Sequence, residues 1–349
     1  MGDESDTGEG HEGGLTFSPD WLSREAEPPI APGRLAIDPH FHFFEQSNFF
    51  PRFMPEMLRE DTRDHAITHA VFVQCRENIR QDGPEHLRPV GETEWVDALA
   101  ARMRDSRGVQ VGAIVGDAWL SHGAKIGETL DAHAEASSLF RGIRDMGIWD
   151  ASEDVESIEH ATGPDLYGSR AFREGFTELA RRDLSFDAYQ YHTQLFSVEA
   201  LARSFPDTRI VIDHLGTPIG TGPYAGKRKA VFEDWSRAMS SIADCQNVFV
   251  KLGGMAMPWS GFGWGEREHP PSSDEFVATY MPYYRHAIET FGPNRCMFES
   301  NFPVDRLSLP YTTLWNAFEK LAADYSETEQ EALFRGTAAQ VYRIATDAD

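Results

Sequence analysis

Short apolar runs alternate with longer segments of helical periodicity from residue 34 onward. The runs are RLAIDPHFHF (34–43), AVFVQC (70–75), VQVGAIVGD (109–117), LFRGIRDM (139–146), LSFDAYQY (184–191), RIVIDHLG (209–216), VFVKLGGM (248–255) and RCMFESNF (295–302). Most are continuously apolar, as strands covered on both faces must be. Between them, residues 90–105, 123–137, 169–183, 227–244 and 272–291 read as helices. Trp95, Leu99 and Met103 fall at i, i+4 and i+8, and Val231, Trp235 and Met239 repeat that spacing opposite a charged face. Residues 326–344 read as a closing helix, with Ser326 and Glu329 at capping-box spacing. Eight strands alternating with helices predict an α/β fold, a distorted (β/α)8 TIM-like barrel. An open doubly wound sheet would give the same alternation, but its first strand usually runs into a glycine-rich phosphate turn. Here that place is taken by DPHFHFFE.

In such a barrel, reactive groups collect at the C-terminal ends of the strands. The predicted ends carry His40 and His42, Gln74 with Arg76 and Glu77, Asp117, Arg144 with Asp145, Asp187 with Gln190, Tyr191 and His192, Asp213 with His214, Lys251, and Glu299 with Ser300 and Asn301; Asp305 follows. His40 and His42 alternate on one strand, so both imidazoles can reach one divalent ion such as Zn²⁺. His214 or His192 would add a third ligand, and a carboxylate would complete the site. The alternative is that the pair only hydrogen-bonds within the barrel mouth. Asp38 shares the alternation and is expected one step deeper, as an internal support. Arg144 and Lys251 would fix a substrate anion or form structural ion pairs, Arg144 with Asp145. His269 lies in a loop that can cover the site, and the remaining histidines read as helix or loop residues.

Composition narrows the partners. The net charge of −24 over 349 residues argues against nucleic acid and anionic membrane surfaces. No run of about 18 apolar residues is present, and MGDESDTGEGHEGG lacks the basic and apolar regions of a signal peptide. Residues 1–33 are expected to be a disordered acidic tail with an extended lead-in, and 34–349 the barrel domain. Cys75, Cys245 and Cys296 form no CxxC pair; they read as core residues of a protein in a reducing, cytoplasmic compartment. The aromatic loop 257–273, with Trp259, Phe262 and Trp264, reads as a lid over a flat or cyclic small molecule, or as a contact patch of a homo-oligomer; residues 48–57 have a similar character.

Together, DPHFHFFE, RGIRDM, IDHLG, VKLGG and MFESNFPVD resemble the amidohydrolase superfamily, and most closely its "amidohydrolase 2" branch, over residues 34–345. That branch includes sugar lactonases, 4-sulfomuconolactone hydrolase and 2-pyrone-4,6-dicarboxylate hydrolase. The resemblance implies a hydrolase that opens a lactone or similar cyclic ester, with His40, His42 and His214 at the family's metal positions and His192 as a further metal or substrate contact. It implies one divalent metal, Zn²⁺ foremost, although the branch also contains a metal-independent hydrolase. Arg144 matches a position that binds a substrate carboxylate or lactone oxygen; Lys251, Gln74, Tyr191 and Trp259 join it as candidate substrate contacts. One departure stands out. Asn301 occupies the place of the strand-8 aspartate, and an amide takes no proton at neutral pH. Either Asp305 or Glu299 serves as base, or the metal works without one while Asn301 steers the substrate, or hydrolysis has been lost and a binding barrel remains. Decarboxylation on the same barrel is the alternative enzyme reading.

Overall fold

A computed structural model describes residues 15, 18–47, 49–104, 107–158 and 160–346. Eight parallel strands pair in chain order: β1 (Leu35–Phe41), β2 (Ala66–Val73), β3 (Gln110–Asp117), β4 (Phe140–Arg144), β5 (Ser185–Ala188), β6 (Ile210–Ile212), β7 (Val248–Leu252) and β8 (Cys296–Phe298). Each predicted run overlaps one of them; seven contain the whole strand, whereas β2 begins at Ala66, four residues ahead of its predicted run. The seam between β8 and β1 closes beyond the strand end. There Phe41 bridges Phe302, the His42 N–H donates to the Phe302 carbonyl at 2.8 Å, and the Asn301 N–H donates to the His40 carbonyl at 3.0 Å.

The barrel is filled by β-branched and small side chains. Ile37, Val71, Val73, Ala113, Val115, Val211, Phe249 and Met297 form one buried cluster. Val341 and Tyr342 plug it from the closing helix. A larger apolar shell lies between the strands and the helices α1 (Pro19–Leu22), α2 (Pro55–Thr62), α3 (Val90–Arg104), α4 (Ile126–Ala136), α5 (Arg170–Arg181), α6 (Leu195–Ser204), α7 (Arg228–Ile242), α8 (Ser273–Phe291), α9 (Tyr311–Ala322), α10 (Glu327–Glu331) and α11 (Thr337–Tyr342). No helix among the described residues is long and apolar enough to cross a membrane.

Three differences from the sequence reading have physical causes. Helix α9 buries Thr313, Leu314, Trp315, Asn316, Ala317 and Phe318 in succession, so it carries no polar stripe for periodicity to find. Helix α6 repeats Leu195, Val198, Leu201 and Ala202, but at 10 residues the pattern spans less than three turns. The closing helix is broken by a π turn at Ala332–Gly336 between α10 and α11, although its capping box forms as expected. The lead-in is held rather than loose. Trp21 Nε1 donates to the Arg267 carbonyl at 2.8 Å, and the Glu27 carboxylate takes the Ser273 N–H and hydroxyl, each at 2.6 Å, at the start of α8. The expected disorder of residues 1–14 lies outside the described residues.

Candidate active site

Alternation fixes what the barrel mouth contains. Asp117, Arg144 and Asp187 are in register on β3, β4 and β5, so they share the interior face. On β1 the alternation is interrupted: the register shifts between Asp38 and Phe41. Ile37 points into the barrel core, whereas the Asp38 carboxylate receives the Ser300 N–H at 2.9 Å and the Tyr311 hydroxyl at 3.1 Å. Asp38 is thus a support, but it braces the β8 end and α9 rather than standing beneath His40 on one face.

Beyond the shift, His40 and His42 face each other with their Nε2 atoms 3.2 Å apart. His42 Nδ1 lies 2.7 Å from the Val73 carbonyl, which only accepts, so that nitrogen holds the proton and Nε2 presents a lone pair. His214 is oriented the same way by a carboxylate: its Nδ1 lies 2.7 Å from Glu299 Oε1. Glu299 Oε2 is 3.0 Å from His40 Nδ1, close enough for an ion pair but off hydrogen-bond alignment. His40 and His214 are joined by Asp213, which sequence reasoning placed at a strand end without a role; the three offer ligand atoms within 4.8 Å of one another.

The two glycines after β7 permit this approach. A Cβ on Gly254, at φ +66°, would meet His214 Nδ1 at 2.4 Å, and one on Gly253 would meet the Glu299 carbonyl at 2.2 Å. His214 itself sits in the left-handed region with φ 55°, as does Asn301 with φ 56°. That conformation favours asparagine and aspartate among non-glycine residues, so position 301 suits either side chain.

Two cations complete the cluster. Lys251 Nζ, fully buried, lies 2.6 Å from Asp187 Oδ2, 3.0 Å from Asp213 Oδ1 and 3.1 Å from His40 Nδ1. Tyr342 reaches up from the barrel floor to donate to the same Asp187 oxygen at 2.7 Å. Arg144 Nη1 lies 3.3 Å from His40 Nε2 and 3.7 Å from Asp213 Oδ2, and its Nη2 donates to the Gln74 carbonyl. Its expected partner Asp145 is engaged elsewhere, by the Leu120 N–H and His160.

Burial and these neighbours set the charges. Burial, and then the Lys251 ammonium, hold the His40 imidazole down at about 4. Burial raises Asp187 to about 6 despite Lys251. In Glu299 burial is outweighed by His214 and His40, which hold it near 2, so it stays ionised. Burial pushes Asp305 up to about 7; its oxygens take the Asn301 amide at 3.0 Å and the Ala256 N–H at 3.1 Å. Of the candidate bases, Glu299 is committed to the histidines, and Asp305 is the group whose proton affinity matches neutral pH.

The other predicted contacts divide. Gln74 is fully buried with neither amide atom hydrogen-bonded. Trp259 is half-buried, its Nε1 sealed without a partner and its carbonyl receiving the Gly220 N–H. Tyr191 donates its hydroxyl to the Glu156 carbonyl, within an apolar patch with Ile148 and Val155. Tyr189, two residues beyond the inward-facing Asp187, packs its ring 5.2 Å from that of His214 and 5.6 Å from the Arg144 guanidinium; period-two counting from Asp187 would have found it. His192 lies outside the ligand group, beside Tyr224 and the Ile219 N–H. His269 stands exposed near Glu25 and Glu268. His69, expected on a helix or loop, is on β2, and His133 is fully buried between Thr93 and the Asp117 carbonyl. Cys75 directs its thiol to the Phe43 carbonyl, and burial raises its pKa far above the usual value.

A family model described as Amidohydrolase matches residues 37–344. The "Uncharacterized protein y4mH" of Sinorhizobium fredii is 31% identical over 328 residues, 88% of this chain and 98% of that protein. An L-fucono-1,5-lactonase of Burkholderia ambifaria is 28% identical over 313 residues, 88% of this chain and 95% of the other. The crystal structure of an amidohydrolase from Burkholderia multivorans with bound zinc superposes with a TM-score of 0.69 at 22% identity, covering 89% of this chain and 100% of that one. The family match spans every barrel strand from Ile37 to the closing helix, and the chain belongs to the amidohydrolase family.

Proposed function

We propose that this protein is a hydrolase that opens a lactone or similar cyclic ester. The observation that carries the reading is the His40–His42 pair, whose Nε2 atoms approach to 3.2 Å at the barrel mouth. The donor set fits a divalent metal. Tetrahedral zinc with Zn–N bonds of ~2.0–2.1 Å places its ligand atoms roughly 3.3 Å apart. Metal-binding histidines commonly anchor their second nitrogen on a carbonyl or carboxylate, as His42 and His214 do here. His40, His42, His214 and Asp213 would hold the ion, which would supply Lewis acidity to a carbonyl and acidify a water.

The chain's own groups do the rest. Arg144, beside His40 Nε2, places positive charge where a carbonyl oxygen gains negative charge as water adds, while Lys251, on the Nδ1 side of His40, neutralises Asp187 and Asp213. Glu299 keeps His214 in one orientation. Asp305 takes or returns a proton near neutral pH, with the Asn301 amide fixing one of its oxygens. The ring C–O bond then breaks and leaves a hydroxy acid. The L-fucono-1,5-lactonase relatives support a lactone as substrate. The test is a proton-release screen over a lactone panel with parallel metal analysis. Ring opening that disappears in both His40→Ala and His42→Ala supports the reading. A panel without any ring opening, combined with CO₂ release from aromatic acids, would replace it with decarboxylation.

A further inference from the structure

His40 faces two ways. Its Nε2 lies 3.2 Å from His42 Nε2, at the place proposed for the ion, and its Nδ1 lies 3.1 Å from the Lys251 ammonium. The ammonium stands at a second point where donor atoms converge. Asp187 Oδ2 is 2.6 Å from it and Asp213 Oδ1 is 3.0 Å from it. Glu299 Oε2, 3.0 Å from His40 Nδ1, adds a third carboxylate beside the same nitrogen. All five residues are fully buried, and they come from β1, β5 and β7 and from the ends of β6 and β8.

An ammonium serves this set imperfectly. It has three hydrogens, each of them directional. Its aligned bonds go to Asp187 Oδ2 and His40 Nδ1. Asp213 Oδ1, though only 3.0 Å away, is off hydrogen-bond alignment, and Asp213 Oδ2, Asp187 Oδ1 and Glu299 Oε2 also lack a hydrogen-bond partner. Buried carboxylate oxygens without donors are costly. A divalent ion is not directional in this way and carries one more positive charge. Three carboxylates and an imidazole make a donor set for such an ion, and an oxygen-rich set suits Mn²⁺. The lysine reaches this point because it is anchored on β7, with Nζ 5.5 Å from the centre of the Tyr342 ring.

We propose that Lys251 fills a latent divalent-cation site formed by Asp187, Asp213, Glu299 and His40 Nδ1, and that it thereby limits the centre to one exchangeable metal ion. The ammonium is covalently attached and cannot dissociate. It balances the carboxylates at every metal concentration and leaves only the Nε2 side of His40 open to a free ion. The inference rests on the proposed reading for the ion at His42, but the latent site can be tested separately from it.

The probe is Mn²⁺, followed by the electron paramagnetic resonance of the free ion and by Tm. The full chain is stripped with chelator, given one equivalent of Zn²⁺ and titrated with Mn²⁺ at fixed pH. Wild type should take up no Mn²⁺ and keep its Tm. Lys251→Ala removes the ammonium and leaves its space, so it should hold about one ion more per chain, and its Tm should rise by about 4 °C at a hundredfold excess of Mn²⁺ over Kd. Adding Asp187→Asn to that variant keeps an acceptor for Tyr342 but withdraws a ligand charge, and should weaken Mn²⁺ binding about tenfold or more. Wild type that takes up Mn²⁺ as Lys251→Ala does would overturn the proposal. So would a Lys251→Ala protein that holds no extra ion, or one that stays unfolded with both metals present. Wild type that holds no ion of either kind, beside Lys251→Ala that holds one, would keep the latent site and remove the ion at His42.

Discussion

Replacing Lys251 by methionine tests whether the centre of the site is held by charge or merely by packing. Methionine keeps the length and apolar stem and removes the ammonium. In the native cluster that ammonium lies 2.6 Å from Asp187 and 3.0 Å from Asp213. At an effective dielectric of about 20, unit charges at those distances attract by about 6 and about 5.5 kcal/mol. Desolvating the ammonium costs several kcal/mol in the other direction. Removing one partner of a buried pair nets a loss of about 3–5 kcal/mol, because the carboxylates left behind are unpaired. With ~2.1 cal/mol/K of unfolding entropy per residue, a chain of 349 residues loses about 1.4 °C per kcal/mol. Lys251→Met should therefore lower Tm by about 4–7 °C in chelator-treated protein at fixed pH, read by differential scanning calorimetry.

The double variant Asp187→Asn/Lys251→Met should recover about half of that loss. An amide at 187 can still accept from Tyr342 and no longer needs a counter-ion. A single variant within 1 °C of the wild type, or a double variant whose losses simply add, would refute the view that Lys251 neutralises this cluster.

Further outcomes follow from the same geometry. Glu92 is buried, with Oε1 receiving the Cys75 and Glu77 N–H groups at 3.0 and 2.8 Å, and burial raises its pKa to about 8. The folded state keeps a proton that the unfolded chain releases near 4.5, so the stability from this group is complete below that pH and is lost as pH rises to about 8. Glu92→Gln keeps both acceptor contacts; urea titrations at pH 5, 6.5 and 8 should show the variant gaining on the wild type by roughly 1.4 kcal/mol per pH unit, and parallel curves would contradict this. Gly254→Ala puts a Cβ 2.4 Å from His214 Nδ1 at a φ of +66°, so it should lower ring-opening activity at least tenfold and Tm by several degrees; a variant retaining full activity would show that His214 need not hold its place. Asn301→Asp removes the donor that faces Asp305 at 3.0 Å and sets two carboxyl groups against each other. Burial already raises Asp305 to about 7, so a shared proton should make this variant tolerable at pH 5.5 and markedly less stable than the wild type at pH 8.5; equal Tm differences at the two pH values would count against the contact.

The barrel was legible because its strands are apolar on both faces and its turns come at regular intervals. Asp117, Arg144, Asp187 and Lys251 are legible at strand ends for the same reason: each is a polar residue within or closing an apolar run. The register shift on β1 left no such mark, since an extra residue in a strand looks like any other residue, and it moved Asp38 off the face that His40 and His42 share. Asp213 and His214 were both visible at the end of β6, yet the backbone there turns left-handed at His214, and alternation no longer says which of two adjacent residues faces the site. In the structure both do. Tyr342 could not be found at all by local reasoning, because its reach to Asp187 spans 155 positions and crosses the barrel floor. The same limit applies to Asn301. Read against a family pattern it marks a lost carboxylate, but its amide bonds Asp305, four residues on. An amide in that place keeps a neighbouring acid ordered without adding a second buried negative charge beside Glu299 and Asp213. On the proposed reading Asp305 is the proton-handling group where Asn301 stands beside it, and the behaviour of Asn301→Asp across pH is where that coupling becomes measurable.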